Sequence, residues 1–308
     1  MTIDYRILIA NRLSQKEQKD TQQLIDSVFN EVDQVFNKWN PLSELSLLNH
    51  LSAAKPYKLS TELFAFMLQV DMLFRISGGR FDPTIEPLQR LWKEALGRGA
   101  LPDSEALEKL KPYVGWSTVV FAEGFFHKQH SKTELDFGGI AKGHCVDLLL
   151  TRLQAAGFEN LLVEWGGEMR ASGSHPAGRP WQVAIKNFNS AQGNPIAECI
   201  ALNNRAIATS GDYLQYWQVV SPDGELTTYF HVIDPFLHRP LIATTKSVAT
   251  VTIIAGSCMA ADAIATAAMI FPTVAESKRW LHALQRKGII DHFWVFSREL
   301  SPQPAGNH

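Results

Sequence analysis

Hydrophobic positions along the chain alternate between two periods, and the change of period marks its elements. Ile3 to Ala10 alternates apolar and polar residues as a half-buried strand does. From Ser14 the spacing changes: Ile25, Val28, Phe29, Val32, Val35, Phe36 and Trp39 follow a helical repeat, predicting a helix from Ser14 to Trp39. Ser14 with Glu17 forms a capping box at its start, and Asn40-Pro41 ends it. Ser60 caps a second helix through Leu63, Phe64, Met67, Val70 and Phe74 to a Gly78-Gly79 stop.

Further along, Pro102 to Leu110 reads as a short helix and Ser117 to Phe126 as a strand or hairpin arm. A short extended run from Thr133 to Phe137 precedes Gly138-Gly139, and a helix from Lys142 to Ala156 stops at Gly157. Strands are expected at Asn160–Trp165, Trp181–Lys186, Glu198–Leu202, before Pro235, at Ser247–Ala255 and at His292–Phe296. Helices are expected from Cys258 to Phe271 and from Val274 to Gln285, with a loose tail at 301–308. Strands and hairpins mix with helices without strict βαβ alternation. That predicts an α+β fold of mixed, largely antiparallel sheets packed with helices, in one domain over residues 1–300.

Composition narrows the function. With 308 residues, 45 % of them apolar, the chain can bury a large core, and its only long weakly polar stretch, Ser247–Phe271, contains Asp262 and several hydroxyls, which argues against a membrane span. A formal charge of −2 without a basic run gives no reason to expect nucleic acid as a partner. The three cysteines, Cys145, Cys199 and Cys258, form no CxxC pair, so neither a disulfide framework nor a thiolate zinc site is expected.

Two stretches carry candidate chemistry. In Leu135–Asp147 an acid, two glycines and Lys142-Gly143 open a helix, a combination suited to a phosphorylated ligand because glycine admits close approach and a helix start offers free N–H groups. In the Cys258–Phe271 helix, Asp262 and Thr266 are four apart on one face among Met259, Ala261, Ala263, Ile264 and Ala265. An ionised Asp there is costly unless paired or bound to metal; carboxylate, hydroxyl and carbonyl suit Mg²⁺ or Ca²⁺. The alternatives are structural. Asp262 could be stabilised by the helix dipole with Thr266 bonded to its own backbone, Lys142 could be solvated, the glycine doublets mere turns and His231 a structural histidine. Neither GxGxxG nor GxxxxGK[ST] occurs.

Taken in order, the motifs resemble the ApbE family, the FAD:protein FMN transferases. They are Met1-Thr2 before a strand, Trp39-Asn-Pro-Leu-Ser43, Gly79-Arg-Phe-Asp82-Pro-Thr84, Asp136-Phe-Gly-Gly139-Ile-Ala-Lys142-Gly, Gly166-Gly167-Glu168, Ala208-Thr-Ser-Gly-Asp212, His231-Val-Ile233-Asp-Pro235 and Ala261-Asp262-x-x-x-Thr266. The resemblance implies an ApbE-like (T-fold-like) architecture, Mg²⁺ held by Asp262, Thr266 and a backbone oxygen near Gly139, and FAD contacted by Met1, Trp39, Asn40, Asp82, Lys142 and Ile233. It implies His231 as catalytic base and, as acceptor, a protein with a Ser/Thr flavinylation motif, a subunit of a membrane redox complex. A Mg²⁺-dependent FAD pyrophosphatase and a non-catalytic FAD-binding protein are the alternatives. Family members usually carry an export signal or lipoprotein cysteine before the flavin-contacting methionine; here Met1 is first, which implies either a missing upstream segment or a cytoplasmic member. Glu168 stands where Asp is common, a change expected to be tolerated.

Overall fold

The computed structural model describes residues 3–186, 196–212, 215–220 and 223–298. Met1 and the 301–308 tail lie outside them.

Strand β1 (Tyr5–Ile9) leads into α1 (Gln15–Phe36), whose Ser14 and Glu17 close the expected capping box. The helix stops before Trp39: Asn37 is extended, and residues 37–43 turn back into α2 (Glu44–His50), capped by Ser43. The short β2 (Tyr57–Lys58) precedes α3 (Thr61–Ser77), ended by Gly78 at φ 60°. Then come α4 (Glu86–Gly97), with Pro87 in its first turn, and α5 (Ser104–Leu110). The predicted Ser117–Phe126 arm is a 3₁₀ turn followed by a hairpin, β3 (Val119–Ala122) and β4 (Phe125–Lys128). Thr133 to Phe137 is not a strand: Asn49 bonds both backbone groups of Leu135 through its side chain, satisfying them without a ladder.

After α6 (Ala141–Ala155) come β5 (Leu161–Trp165), β6 (Glu168–Ser172), β7 (Trp181–Lys186), β8 (Ile196–Leu202) and β9 (Ala206–Gly211). Strands β10 (Tyr216–Val220), β11 (Leu226–Asp234), β12 (Arg239–Ile242) and β13 (Val248–Ala255) precede α7 (Cys258–Met269), α8 (Val274–Arg286) and β14 (His292–Ser297). His231 therefore lies within β11, not at its end.

The central sheet is antiparallel throughout, in the order β1-β5-β6-β9-β13-β14. Alternate residues feed its two faces. Leu161, Val163, Ala206, Ala208, Val251 and Ile253 join the main core with α6 and α7. Leu162, Ile207 and Ile254 meet Trp181, Val183 and Ile185 of the β7–β8 pair. Burial on both faces explains why β13 reads as a continuous apolar run. A separate sheet, β10-β11-β12, packs on α4 through Leu88, Trp92, Val219, Tyr229 and Ile233. The expected α+β class of mixed, largely antiparallel sheets holds. No helix among the described residues is long and apolar enough to cross a membrane.

Candidate functional site

The two sequence stretches meet where α6 crosses α7. Gly143, in the first turn of α6, makes the crossing possible: a Cβ there would lie 2.4 Å from the Cys258 carbonyl oxygen. Its N–H donates to Asp262 Oδ2 at 3.2 Å. One turn further along α7, Thr266 does not bond back to its own backbone; its hydroxyl lies 3.1 Å from Ser210 Oγ on β9. A Cβ on Gly139 would come within 3.0 Å of Thr266 Oγ1, so the Gly138–Gly139 turn presents its backbone to that hydroxyl. Asp262 is buried, whereas Gly139, Ser210 and Thr266 are half-buried.

The other end of the site is a hairpin. Gly166 and Gly167, both at positive φ, form the two-residue turn joining β5 to β6, with Trp165 opposite Glu168. This register turns Glu168 inward, where it is 1 % exposed and its Oε1 accepts from the Lys142 ammonium. Its Oε2 is buried with no hydrogen-bond partner among the described residues. Burial and the charge of Asp262 raise the Glu168 carboxyl to about 7, against the pull of Lys142. Burial also raises Asp262, opposed by Lys142 and the Gly143 N–H. For Lys142, burial disfavours the ammonium but Asp262 and Glu168 outweigh it, and its pKa lies above the ordinary lysine value. If all three are ionised, two carboxylates and one ammonium leave one net negative charge in a low-dielectric site.

The remaining expected residues sit around this cluster with unequal availability. Asp82 accepts from the backbone N–H (2.8 Å) and hydroxyl (2.6 Å) of Thr84, and is turned inward. The next residue ties its loop to the glycine turn, since Asp136 N–H donates to the Pro83 carbonyl at 2.7 Å. Asn40 shapes its own turn: Nδ2 donates to Asp33 at 2.6 Å and Oδ1 accepts from Leu42 N–H at 3.0 Å. Trp39, by contrast, is 75 % exposed, with the Lys38 and Lys93 ammonium groups 5.1 and 5.7 Å from its ring. The Ile233 side chain is buried beneath α4, which leaves its backbone as the part that could face a ligand.

His231 is half-buried on β11, its Nδ1 3.4 Å from the Gln215 carbonyl. Burial lowers its pKa; the Gln215 contact works against this and the Lys142 charge adds to it. The ring is therefore neutral at neutral pH. An Nδ1–H directed at that carbonyl leaves the Nε2 lone pair free to accept a proton.

Three participants escaped the sequence reading. Lys38 bridges Glu86 (2.6 Å) and Asp136 (3.0 Å), joining the Trp39 turn to the glycine turn. Glu168 holds Lys142, which the bare Gly-Gly-Glu triplet did not disclose. Asp147, the last residue of the glycine-lysine stretch, reaches the first turn of α7. Its four-residue spacing from Gly143 was the available signal, since it puts both on one face of α6.

Comparison with known proteins bears on the family and the fold. The ApbE family profile matches residues 1–291. A Chlamydia pneumoniae protein named FAD:protein FMN transferase is 38 % identical over 282 residues, 91 % of this chain and 85 % of its own. A Vibrio cholerae protein of the same name is 32 % identical over 274 residues, 88 % of this chain and 79 % of its own. Among solved structures, the flavin transferase ApbE from Vibrio cholerae superposes with a TM-score of 0.78 at 28 % identity, covering 95 % of this chain and 93 % of the other. The apo flavinyl transferase ApbE from Pseudomonas stutzeri gives 0.76 at 25 % identity, covering 97 % and 92 %. The chain belongs to the ApbE family.

Proposed function

We propose that this protein transfers the FMN half of FAD to a threonine hydroxyl of an acceptor protein, releasing AMP with the assistance of Mg²⁺. The observation that carries the reading is the convergence of the buried Asp262 carboxylate, the Thr266 hydroxyl and the Gly139 turn beside the Lys142–Glu168 pair.

These residues fit a hydrated magnesium ion. The donor set is one carboxylate with neutral oxygens, the usual protein share around Mg²⁺ when substrate phosphates supply the rest. Among the described residues no three His, Cys, Asp or Glu side chains converge as a metal cluster, so no softer donor set competes. A cation would also offset the negative charge that the Asp262–Glu168–Lys142 group carries when both carboxyls are ionised. Asp262, Thr266 and a Gly139 backbone oxygen would hold the ion, which supplies charge neutralisation at the diphosphate and at the departing AMP oxygen.

The chain's own residues supply the rest. Lys142, held by Glu168, is an oriented cation for phosphate oxygens. His231 accepts the threonine proton at Nε2 as the hydroxyl oxygen bonds to the FMN-side phosphorus; the bond from that phosphorus to the bridging oxygen breaks and AMP leaves. Trp39 offers an exposed stacking surface to a flavin or adenine ring. Met1, Asn40, Asp82 and Ile233 complete the flavin-contact set implied by the family resemblance, with residues 1–300 acting as one transferase domain. The same resemblance makes the acceptor a subunit of a membrane redox complex with a Ser/Thr flavinylation motif.

The test is mass spectrometry of an acceptor domain carrying such a motif after incubation with protein, FAD and Mg²⁺. An FMN phosphoester on threonine with an equal amount of AMP is expected. Unmodified acceptor with free FMN and AMP would instead identify a pyrophosphatase, and intact FAD a binding protein. His231→Ala should still bind FAD but lose transfer.

A further inference from the structure

Asp147 touches neither the Thr266 hydroxyl nor the Gly139 turn, yet three structural elements meet at its carboxylate. Its Oδ1 accepts from the Cys258 N–H and its Oδ2 from the Met259 N–H, both at 2.9 Å. Arg170 Nη1 on β6 donates to Oδ1 at 2.7 Å. The α7 start would otherwise leave these two N–H groups unpaired, because Ser257 serves only the next two, Ala260 through its hydroxyl and Ala261 through its carbonyl.

Two further contacts make this more than a cap. Glu168 and Arg170 are two apart on β6 and so share a face; they pair with Lys142 and Asp147 of α6 in opposite polarity. The reversed pair fixes α6 on β6 in one register, since sliding it would bring like charges together. Gly143, one turn before Asp147, sets how closely α7 approaches and donates to Asp262. Asp147 thus fixes the start of the helix on which Asp262 and Thr266 stand, relative to the helix that follows the Gly139 turn.

We propose that Asp147 is a positioning residue for the cation site, acting through the first turn of α7 without itself ligating the ion. The inference rests on the cation reading of Asp262 and Thr266 given above. Outer partners of metal ligands commonly change affinity by about 10- to 100-fold when removed.

The experiment titrates Mn²⁺ into the protein, first alone and then with FAD bound, and counts free ion by electron paramagnetic resonance, well below each variant's melting temperature. Asp147→Asn places an amide NH₂ where an α7 N–H needs an acceptor, and should weaken binding about 10- to 100-fold. Asp147→Glu keeps the charge but inserts one more carbon, about 1.5 Å of reach, and should also weaken binding if Asn does not fold. Arg170→Met removes the β6 ion pair but leaves both α7 bonds, so it should lower the melting temperature and weaken Mn²⁺ binding less than either Asp147 variant does.

Wild-type affinity in folded Asp147→Asn or Asp147→Glu would overturn the proposal. So would an affinity loss in Arg170→Met equal to that in the Asp147 variants, which would mark general destabilisation. If the wild-type protein binds no Mn²⁺ either alone or with FAD bound, the cation reading itself fails and takes this inference with it.

Discussion

Gly143→Ala tests whether the site depends on the close crossing of α6 and α7. The added Cβ would sit 2.4 Å from the Cys258 oxygen, 2.6 Å from its carbon and 2.8 Å from the Met259 nitrogen, all backbone atoms. Ordinary contact begins near 3.4 Å, so the helices must separate by about 1 Å, because no side-chain rotation relieves the clash. Overpacking of this kind costs about 1–3 kcal/mol; a backbone collision belongs at the upper end, and the better helix propensity of alanine returns about 1 kcal/mol. The net expectation is about 2 kcal/mol of destabilisation, read from the urea midpoint at unchanged slope. Turnover should suffer more than stability, because a displacement of about 1 Å between reacting groups can cost about 100-fold in rate. Gly97→Ala is the control: it ends α4 with nothing within 4 Å of the new Cβ and should be neutral or mildly stabilising. A Gly143→Ala protein with wild-type urea midpoint and wild-type flavin transfer would refute the reasoning.

Three other expectations concern separate parts of the molecule. As the proposed base, His231 would act only when neutral, and its pKa is lowered, so the acidic limb of kcat/KM should have its midpoint below 6.5; a limb above that value excludes His231 as the group reported. His144 packs edge-on against Phe36 and Phe66, and burial lowers its pKa to about 4. The unfolded chain therefore binds the extra proton first, stability falls as pH drops from 6.5 towards 4, and His144→Leu should flatten urea midpoints across that window. Trp39→Ala should raise the FAD dissociation constant about tenfold or more, by fluorescence titration, with no change in melting temperature because the ring supports little of the fold; unchanged affinity would remove Trp39 from the ligand surface.

Local signals were legible in the sequence where local physics decides the structure. The Ser14–Glu17 box starts α1 and the apolar face of α7 places Asp262 inside, as expected. Helix α4 carries ordinary helix marks that the strand-and-helix periodicity above does not include: Pro87 in its first turn and the Leu88, Trp92, Leu96 spacing. The 133–137 segment misled because its alternation resembles a strand, while the acceptor and donor it needs come from the side chain of Asn49. The partners of Lys142, Asp147 and Lys38 could not be read at all. Lys142 and Glu168 are 26 positions apart and Asp147 and Cys258 are 111 apart, so their pairing follows from the register of β6 and the α6–α7 crossing. Sequence marked the residue types of the site; the sheet order decides which of them meet.

The most direct measurement of the central claim is the phosphorus spectrum of FAD bound in slight protein excess, recorded as Mn²⁺ is added without acceptor. Both phosphorus resonances should broaden strongly with wild-type protein and stay narrow at the same Mn²⁺ concentration with Asp262→Ala. Equal broadening in the two proteins, or none in either while FAD remains bound, would contradict a cation held by Asp262 against the diphosphate.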